Sequence, residues 1–199
     1  YYILKMDIAK YFDNINKKIL LKIIERKIKD KNILWLIKEI LYVQKREKGL
    51  EIGNYTSQIF ANIYLNEIDQ YIKHKLKIKY YFRYMDDSIL FLQTKKEAIE
   101  ALKKIKEYLK ENLELKLNKK TQIFKDKQGV NFCGYKINEN RLKIRDKGKR
   151  KLKKKVKKLK QQIKEEKITS KEAYKYLAGH MGYIEIADTY MLEKSLFYT

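Results

Sequence analysis

The sequence predicts an α+β fold, and two observations predict it. Short β-rich runs alternate with apolar helical stripes up to about residue 145, and only helical patterns follow. This points to a sheet domain with a small helical appendage. At 199 residues the chain is long enough to bury a core, as one domain or two small ones.

The elements are expected in this order. Residues 2–8 read as a buried strand ending at Asp7. Asn16 is a helix N-cap, with Ile19, Leu20, Ile23, Ile24 and Ile28 at helical spacing after it. A second helix starts near Asp30 or Asn32, with Leu34, Ile37, Ile40 and Leu41 on one face. The polar stretch 44–54, with Gly49 and Gly53, is a loop. A third helix covers about 56–73, stacking Phe60, Tyr64, Ile68 and Ile72. Tyr80–Tyr84 and Ser88–Leu92 flank a Met-Asp-Asp turn, a hairpin signal. A fourth helix spans about 95–111, with Ala98, Ala101, Leu102, Ile105, Tyr108 and Leu109 on its stripe. Strands are expected at 121–125, 130–137 and 141–145. Leu152, Val156, Leu159 and Ile163 then trace a narrow stripe through a dense Lys run, and a last helix runs from about Ser170 into Gly179–Gly182.

Composition narrows the function classes. Lys plus Arg is 48 against 25 for Asp plus Glu, a net +23. Such a charge favours a polyanionic partner, nucleic acid first and an anionic membrane surface second. With 44% hydrophobic residues the chain is no disordered basic tail. Its 17 tyrosines offer rings on which bases stack. A single cysteine, Cys133, excludes an internal disulfide and a Cys-rich zinc site, and reads as a core residue. His74 and His180 are too scattered for a zinc finger. No apolar run approaches the roughly 20 residues of a membrane span, and no signal peptide is visible. A cytoplasmic setting and no membrane partner are expected. The chain opens with Tyr1 in a strand pattern rather than with Met, so a fragment of a longer protein is expected. The absence of Pro and the dominance of Lys and Ile point to biased codon composition and carry no functional information.

Tyr84-Met85-Asp86-Asp87 is the strongest chemical feature. Adjacent carboxylates usually mark a solvated loop, but these lie between apolar runs, Tyr80–Tyr84 and Ile89–Leu92. Charges in such a hairpin are costly unless compensated, and a divalent metal would compensate them. A charged hairpin tip in water is the alternative. Asp7, ending another buried strand in Met6-Asp7-Ile8-Ala9-Lys10-Tyr11-Phe12, shifts the balance. Three carboxylates from two strands could hold two Mg²⁺ ions roughly 3.5–4 Å apart, with Mn²⁺ a substitute. Mg²⁺ suits few carboxylates plus phosphates and water.

Five ordered segments resemble motifs of reverse transcriptases: Asp7 to Phe12, Gly53-Asn54-Tyr55-Thr56-Ser57-Gln58, Tyr84-Met85-Asp86-Asp87, Leu117-Asn118-Lys119-Lys120-Thr121 and Phe132-Cys133-Gly134-Tyr135. The resemblance implies a right-hand polymerase palm, a ferredoxin-like antiparallel sheet with helices, over 1–145, with residual fingers-side helices over 16–43 and a helical thumb over 146–199. It implies RNA-templated DNA synthesis from dNTPs on a DNA or RNA primer. Asp7, Asp86 and Asp87 would be the metal-binding catalytic carboxylates. Lys120, with Lys119 second, would donate a proton to the departing pyrophosphate, or be a solvated surface Lys. Phe12 would be a steric gate against a ribose 2′-OH, or core packing, and both can hold. Ile8, Ile52, Gly53, Ser57 and Gln58 would line the nucleotide, with Gly53 letting the backbone approach it. Phe132, Cys133, Gly134 and Tyr135 would form the primer grip.

Ile52-Gly53-x-x-x-Ser57-Gln58, followed by Ala61-Asn62-x-Tyr64-Leu65-Asn66, is similar to the enzymes of diversity-generating retroelements. Many other members carry Gln before this Gly and Pro after the Ser. Gly179-His180 and Ala187-Asp188-Thr189-Tyr190 resemble the ends of the same enzymes. That subfamily implies a bacterial or phage-encoded enzyme, error-prone copying opposite adenine, and a small basic accessory protein as partner. A group II intron-like enzyme is the alternative. Lys149, Arg150, Lys153, Lys154, Lys157 and Lys158 would track the nucleic-acid backbone from the thumb helix, unless that helix is merely soluble and charged. The resemblance implies a fingers region before the first motif, and that region is expected to be largely absent from this stretch. A catalytically silent, basic nucleic-acid-binding module is the rival from another class.

Overall fold

Residues 1–197 are described by a computed structural model, and they form two compact units, Tyr1–Lys125 and a second from Asp126 onward. In the first, strand β1 (Tyr2–Asp7) sends Leu4 and Met6 into a helix-covered core and carries Lys5 and Asp7 on its other side. β1 is central. It pairs antiparallel with β3 (Asp87–Leu92) on one side and β4 (Gln122–Lys125) on the other, and β2 (Tyr80–Tyr84) pairs antiparallel with β3 at the edge. β1 and β2 therefore run parallel with β3 between them, the split βαβ arrangement of a ferredoxin-like sheet.

Five helices belong to this unit. After α1 (Tyr11–Asn14), α2 (Lys17–Glu25) is capped by Asn16, whose Oδ1 accepts from the Lys18 and Ile19 amides. Asp30 caps α3 (Lys31–Tyr42). α4 (Tyr55–Gln70) runs on into a π-helical turn, Tyr71–Lys75, and α5 (Lys95–Leu113) is capped by Thr94. Phe60, Tyr64, Ile68 and Ile72 are all buried, and the Tyr64 hydroxyl donates to the Leu113 carbonyl at 2.7 Å. α3 departs from expectation. Leu41 is its one buried residue; Leu34 and Ile37 are half-buried, while Ile33, Trp35, Leu36 and Ile40 are exposed. Its apolar residues encircle the helix, so one neighbouring face cannot cover them.

The second unit opens with a three-stranded antiparallel meander, β5 (Val130–Phe132), β6 (Tyr135–Asn138) and β7 (Arg141–Ile144). The single strand expected over 130–137 is thus two strands. Cys133 (φ 46°) and Gly134 (φ 89°) form a two-residue turn, and Phe132 faces Tyr135. Positive φ at both positions is what a tight hairpin with right-handed twist requires. Cys133, expected in a core, is exposed at this tip. The Tyr183 hydroxyl donates to the Gly134 carbonyl, and its ring packs 4.8 Å from that of Tyr135. α6 (Asp146–Lys164), α7 (Ser170–Glu185) and α8 (Tyr190–Phe197) follow. They enclose a core of Ile144, Leu152, Val156, Leu159, Ala173, Leu177, Ile184 and Leu196. Ile144 and Tyr135 pack with this core, so the units divide at 125/126 rather than 145/146. Among the described residues no helix is long and apolar enough to cross a membrane.

Candidate active site

The β1–β3 register sets Asp7 directly opposite Asp87. Tyr84 also faces Asp87 across the β2–β3 hairpin, leaving Met85 and Asp86 as its turn, with Met85 in the left-handed region at φ 53°. Three carboxylates thus converge at one end of the sheet. They are half-buried rather than enclosed, because β2 is an edge strand whose Tyr80, Phe82 and Tyr84 face solvent; Tyr81 alone of its aromatics is buried.

The electrostatics are those of a site short of positive charge. Lys5 Nζ lies 3.0 Å from Asp87 Oδ2, while Asp87 Oδ1 is buried with no hydrogen-bond partner among the described residues. The Asp7 carboxyl is pushed above its ordinary range by burial and then by the charges of Asp86 and Asp87; Lys120 and Lys5 pull it partly back. Among the described residues no three His, Cys, Asp or Glu are gathered closely enough to hold a metal ion together. A buried, unpartnered carboxylate oxygen beside two further carboxylates is a hard-oxygen donor set, and it fits a divalent cation.

The Leu117–Thr121 segment is stitched to Asp7. Ala9 N donates to Lys116 O at 2.9 Å, Asn118 N donates to Asp7 O at 2.7 Å, and Lys120 N donates to Asn118 Oδ1 at 3.1 Å. These bonds hold Lys120 where its charge reaches Asp7. Ile8 pairs through its backbone with Leu117, and its side chain lies in the core, so it can offer a nucleotide only backbone atoms. Phe12 is half-buried, its ring 5.7 Å from Tyr11, and its carbonyl accepts from Leu50 N at 2.9 Å. Tyr11 in turn donates to Ala61 O at 2.5 Å, tying α1 to α4.

The Ile52–Gln58 segment leads into the first turn of α4. Ile52 is 81% exposed, Gln58 is exposed, and Ser57 is buried. Gly53 has φ +106°, which disfavours any side chain, yet among the described residues nothing beyond its own chain neighbours lies within 4 Å of where a Cβ would stand. The space beside it is open. Phe132–Tyr135 form the hairpin tip of the second unit, where Lys149 is half-buried on α6 and Arg150, Lys153, Lys154, Lys157 and Lys158 are exposed.

Three residues of the site, Lys5, Asp69 and Arg83, escape the sequence reading, and Asn62 enters it only within a subfamily motif. Arg83 brackets the turn: it forks onto Asp69 of α4 (2.8 and 2.5 Å) and also donates to the Met85 carbonyl (3.0 Å) and to Asn62 Oδ1 (3.1 Å). The available signal is a lone Arg in an apolar strand and a lone Asp beside the apolar stripe of a helix.

Residues 1–137 match the reverse transcriptase (RNA-dependent DNA polymerase) family. The chain belongs to that family. Among curated relatives, a COX1/OXI3 intron 2 protein of Saccharomyces cerevisiae is 25% identical over 67% of this chain and 23% of its own length. Protein YkfC of Escherichia coli K12 is 24% identical over 68% of this chain and 46% of its own. The chain therefore spans less than half of each. Solved telomerase structures share the fold: that from Candida albicans has a TM-score of 0.58 at 16% identity, covering 73% of this chain and 30% of its own. That from Candida tropicalis also has 0.58, at 18% identity, covering 74% of this chain and 33% of its own.

Proposed function

We propose that this reverse transcriptase chain carries the polymerising site of an RNA-directed DNA polymerase, with the palm in Tyr1–Lys125 and the thumb in the unit from Asp126 onward, which includes the 130–144 hairpins. The observation that carries the reading is the Asp7–Asp87 register with Asp86 beside it and Asp87 Oδ1 buried and unpartnered. Asp7, Asp86 and Asp87 would hold two Mg²⁺, or Mn²⁺ in substitution. When bound, the ions supply activation of the attacking hydroxyl and neutralisation of triphosphate charge. The primer 3′-hydroxyl would lose its proton to solvent as its oxygen attacks the α-phosphorus of a dNTP, the bond from that phosphorus to the β-phosphate oxygen would break, and Lys120 would give a proton to the departing pyrophosphate. Phe12 fills the space a 2′-OH needs. The exposed lysines of α6 and the Phe132–Tyr135 tip hold template and primer.

Exposed Ile52 and Gln58 support the finer reading, the error-prone enzyme of a diversity-generating retroelement acting with a small basic accessory protein in a bacterial or phage setting. The similarity to an intron protein favours a group II intron-like enzyme as the second reading. The test is primer extension by the full natural polypeptide on an RNA template with Mg²⁺ and dNTPs. Extension with errors concentrated opposite adenine is expected. Accurate extension would transfer the chain to the intron-like reading, and binding without extension would leave a silent nucleic-acid-binding module.

A further inference from the structure

The turn that carries Asp86 does not hold itself. Met85 sits in the left-handed region, which an ordinary side chain occupies only when its surroundings impose it. The tight β2–β3 hairpin requires that backbone, and the Arg83 guanidinium braces it by reaching back to the Met85 carbonyl at 3.0 Å. The same guanidinium is fixed in orientation. Its Nε and Nη2 fork onto the two oxygens of Asp69 at 2.8 and 2.5 Å, and Nη1 also reaches Asn62 Oδ1 at 3.1 Å. Asp69 is itself held by the Tyr81 hydroxyl at 2.7 Å. Asn62 Nδ2 lies 3.5 Å from Met85 Sδ and 3.2 Å from the Gln58 carbonyl. Gln58, Asn62 and Asp69 lie at i, i+4 and i+11 on α4, so one face of that helix runs from the end of the Ile52–Gln58 segment to the carboxylate turn.

We propose that Arg83 is a positioning residue which, fixed by Asp69 and Asn62, locks the Met85–Asp86 turn to α4 and so sets where the Asp86 carboxylate stands for a divalent cation. The inference rests on the polymerase reading above. An ion pair serving stability alone would need only Asp69; the bond to the Met85 carbonyl needs the third nitrogen of a planar fork, which lysine lacks.

The experiment measures Mn²⁺ binding to the full chain, without nucleic acid, by electron paramagnetic resonance, alongside thermal unfolding and Mg²⁺-dependent primer extension. The double variant Arg83→Met with Asp69→Leu removes both charges, an exchange that buried ion pairs commonly tolerate, so the unfolding midpoint should stay near the parent's. Mn²⁺ affinity should fall about tenfold or more, as when partners outside the ligand shell are lost, with a matching rise in the Mg²⁺ needed for extension. Arg83→Lys keeps a charge beside Asp69 but not the fork, and should show the same weakened binding; it decides the matter if the double variant fails to fold. Arg26→Gln, which breaks the Arg26–Glu67 pair between the end of α2 and α4, should leave Mn²⁺ affinity unchanged. Parent-like Mn²⁺ affinity in folded Arg83→Lys or in the double variant overturns the inference. If the parent binds Mn²⁺ no better than Asp86→Asn, the polymerase reading itself falls and takes the inference with it.

Discussion

The Met85–Asp87 turn and the Ile52–Gln58 segment are both assigned to one reaction, yet they are built in opposite ways. Around the turn, protein groups occupy the polar atoms: Arg83 on the Met85 carbonyl, Lys5 on Asp87, Asn118 on the Asp7 carbonyl. Around the segment, Ile52 and Tyr55 are 81% and 76% exposed, and Gly53 has open space beside it. The backbone of the turn is held by the protein, with a carboxylate oxygen of Asp87 left over, whereas the segment has little of the chain around it. In the proposed reading, the placement of charge rests on strand register and buried bonds, and the selection of substrate on side chains that can be exchanged without disturbing that frame.

Breaking the protein-held half should have the largest effect. Asp86→Asn is expected to reduce extension about a thousandfold or more, since a charge worth several kcal/mol to the transition state is lost. Hybrid binding should be spared, because the basic surface is untouched. Extension within a few-fold of the parent would remove Asp86 from the site. Phe12→Ala should then raise ribonucleotide use by about tenfold, on the order of one well-packed side chain's discrimination. Competition between rNTP and dNTP measures this, and an unchanged ratio would return Phe12 to a packing role.

Smaller effects sharpen the open half. Neutralising Lys153, Lys154, Lys157 and Lys158 should flatten the salt dependence of hybrid binding by up to about 0.9 for each phosphate no longer neutralised. An unaltered slope would take α6 off the duplex. Ile52→Gln should lower misincorporation several-fold, most strongly opposite template adenine, because one added hydrogen bond contributes about 0.5–1.5 kcal/mol. Sequencing the products of one RNA template reads it; an unmoved error spectrum would detach Ile52 from loose selection.

The smallest effect concerns Asp7 and stability. Its carboxyl is held above the ordinary range by burial and by Asp86 and Asp87. A raised folded-state value means the proton is held more tightly in the folded chain, so Asp7's contribution is fully present below the ordinary value and is lost as pH rises through the raised one. Without divalent ions at neutral pH, Asp7→Asn should therefore unfold at a slightly higher temperature than the parent, and the gap should close in acid. A variant less stable than the parent at neutral pH would contradict this charge balance.

The converging carboxylates are legible in the sequence because each sits at the end of an apolar run with its own local signature. The meeting of Arg83 with Asp69 is not, because a strand residue and a helix residue 14 positions apart reveal their partnership only once the helix is docked. The 130–137 stretch misleads for a different reason. Val130-Asn131-Phe132 and Tyr135-Lys136-Ile137 each alternate, so the stretch looks like one strand, but the phase slips at Cys133-Gly134, where both residues take positive φ. Non-glycine residues enter that region too rarely for Cys133 to announce a turn. α3 reads as amphipathic because four positions fit one face, while the exposed Ile33, Trp35 and Leu36 lie outside that pattern.

Asp7 lies on a strand hydrogen-bonded on both edges, to β3 and to β4. One residue inserted between Tyr2 and Asp7 would rotate the carboxylate to the side occupied by Leu4 and Met6, burying a charge in the core and aiming a methylene-rich neighbour at the site. Compensation would require matching insertions in both flanking strands at once. Insertions and deletions are thereby barred from this stretch, whatever freedom single substitutions keep. Descendants of this chain can diverge widely in composition while the count of residues along β1 stays constant.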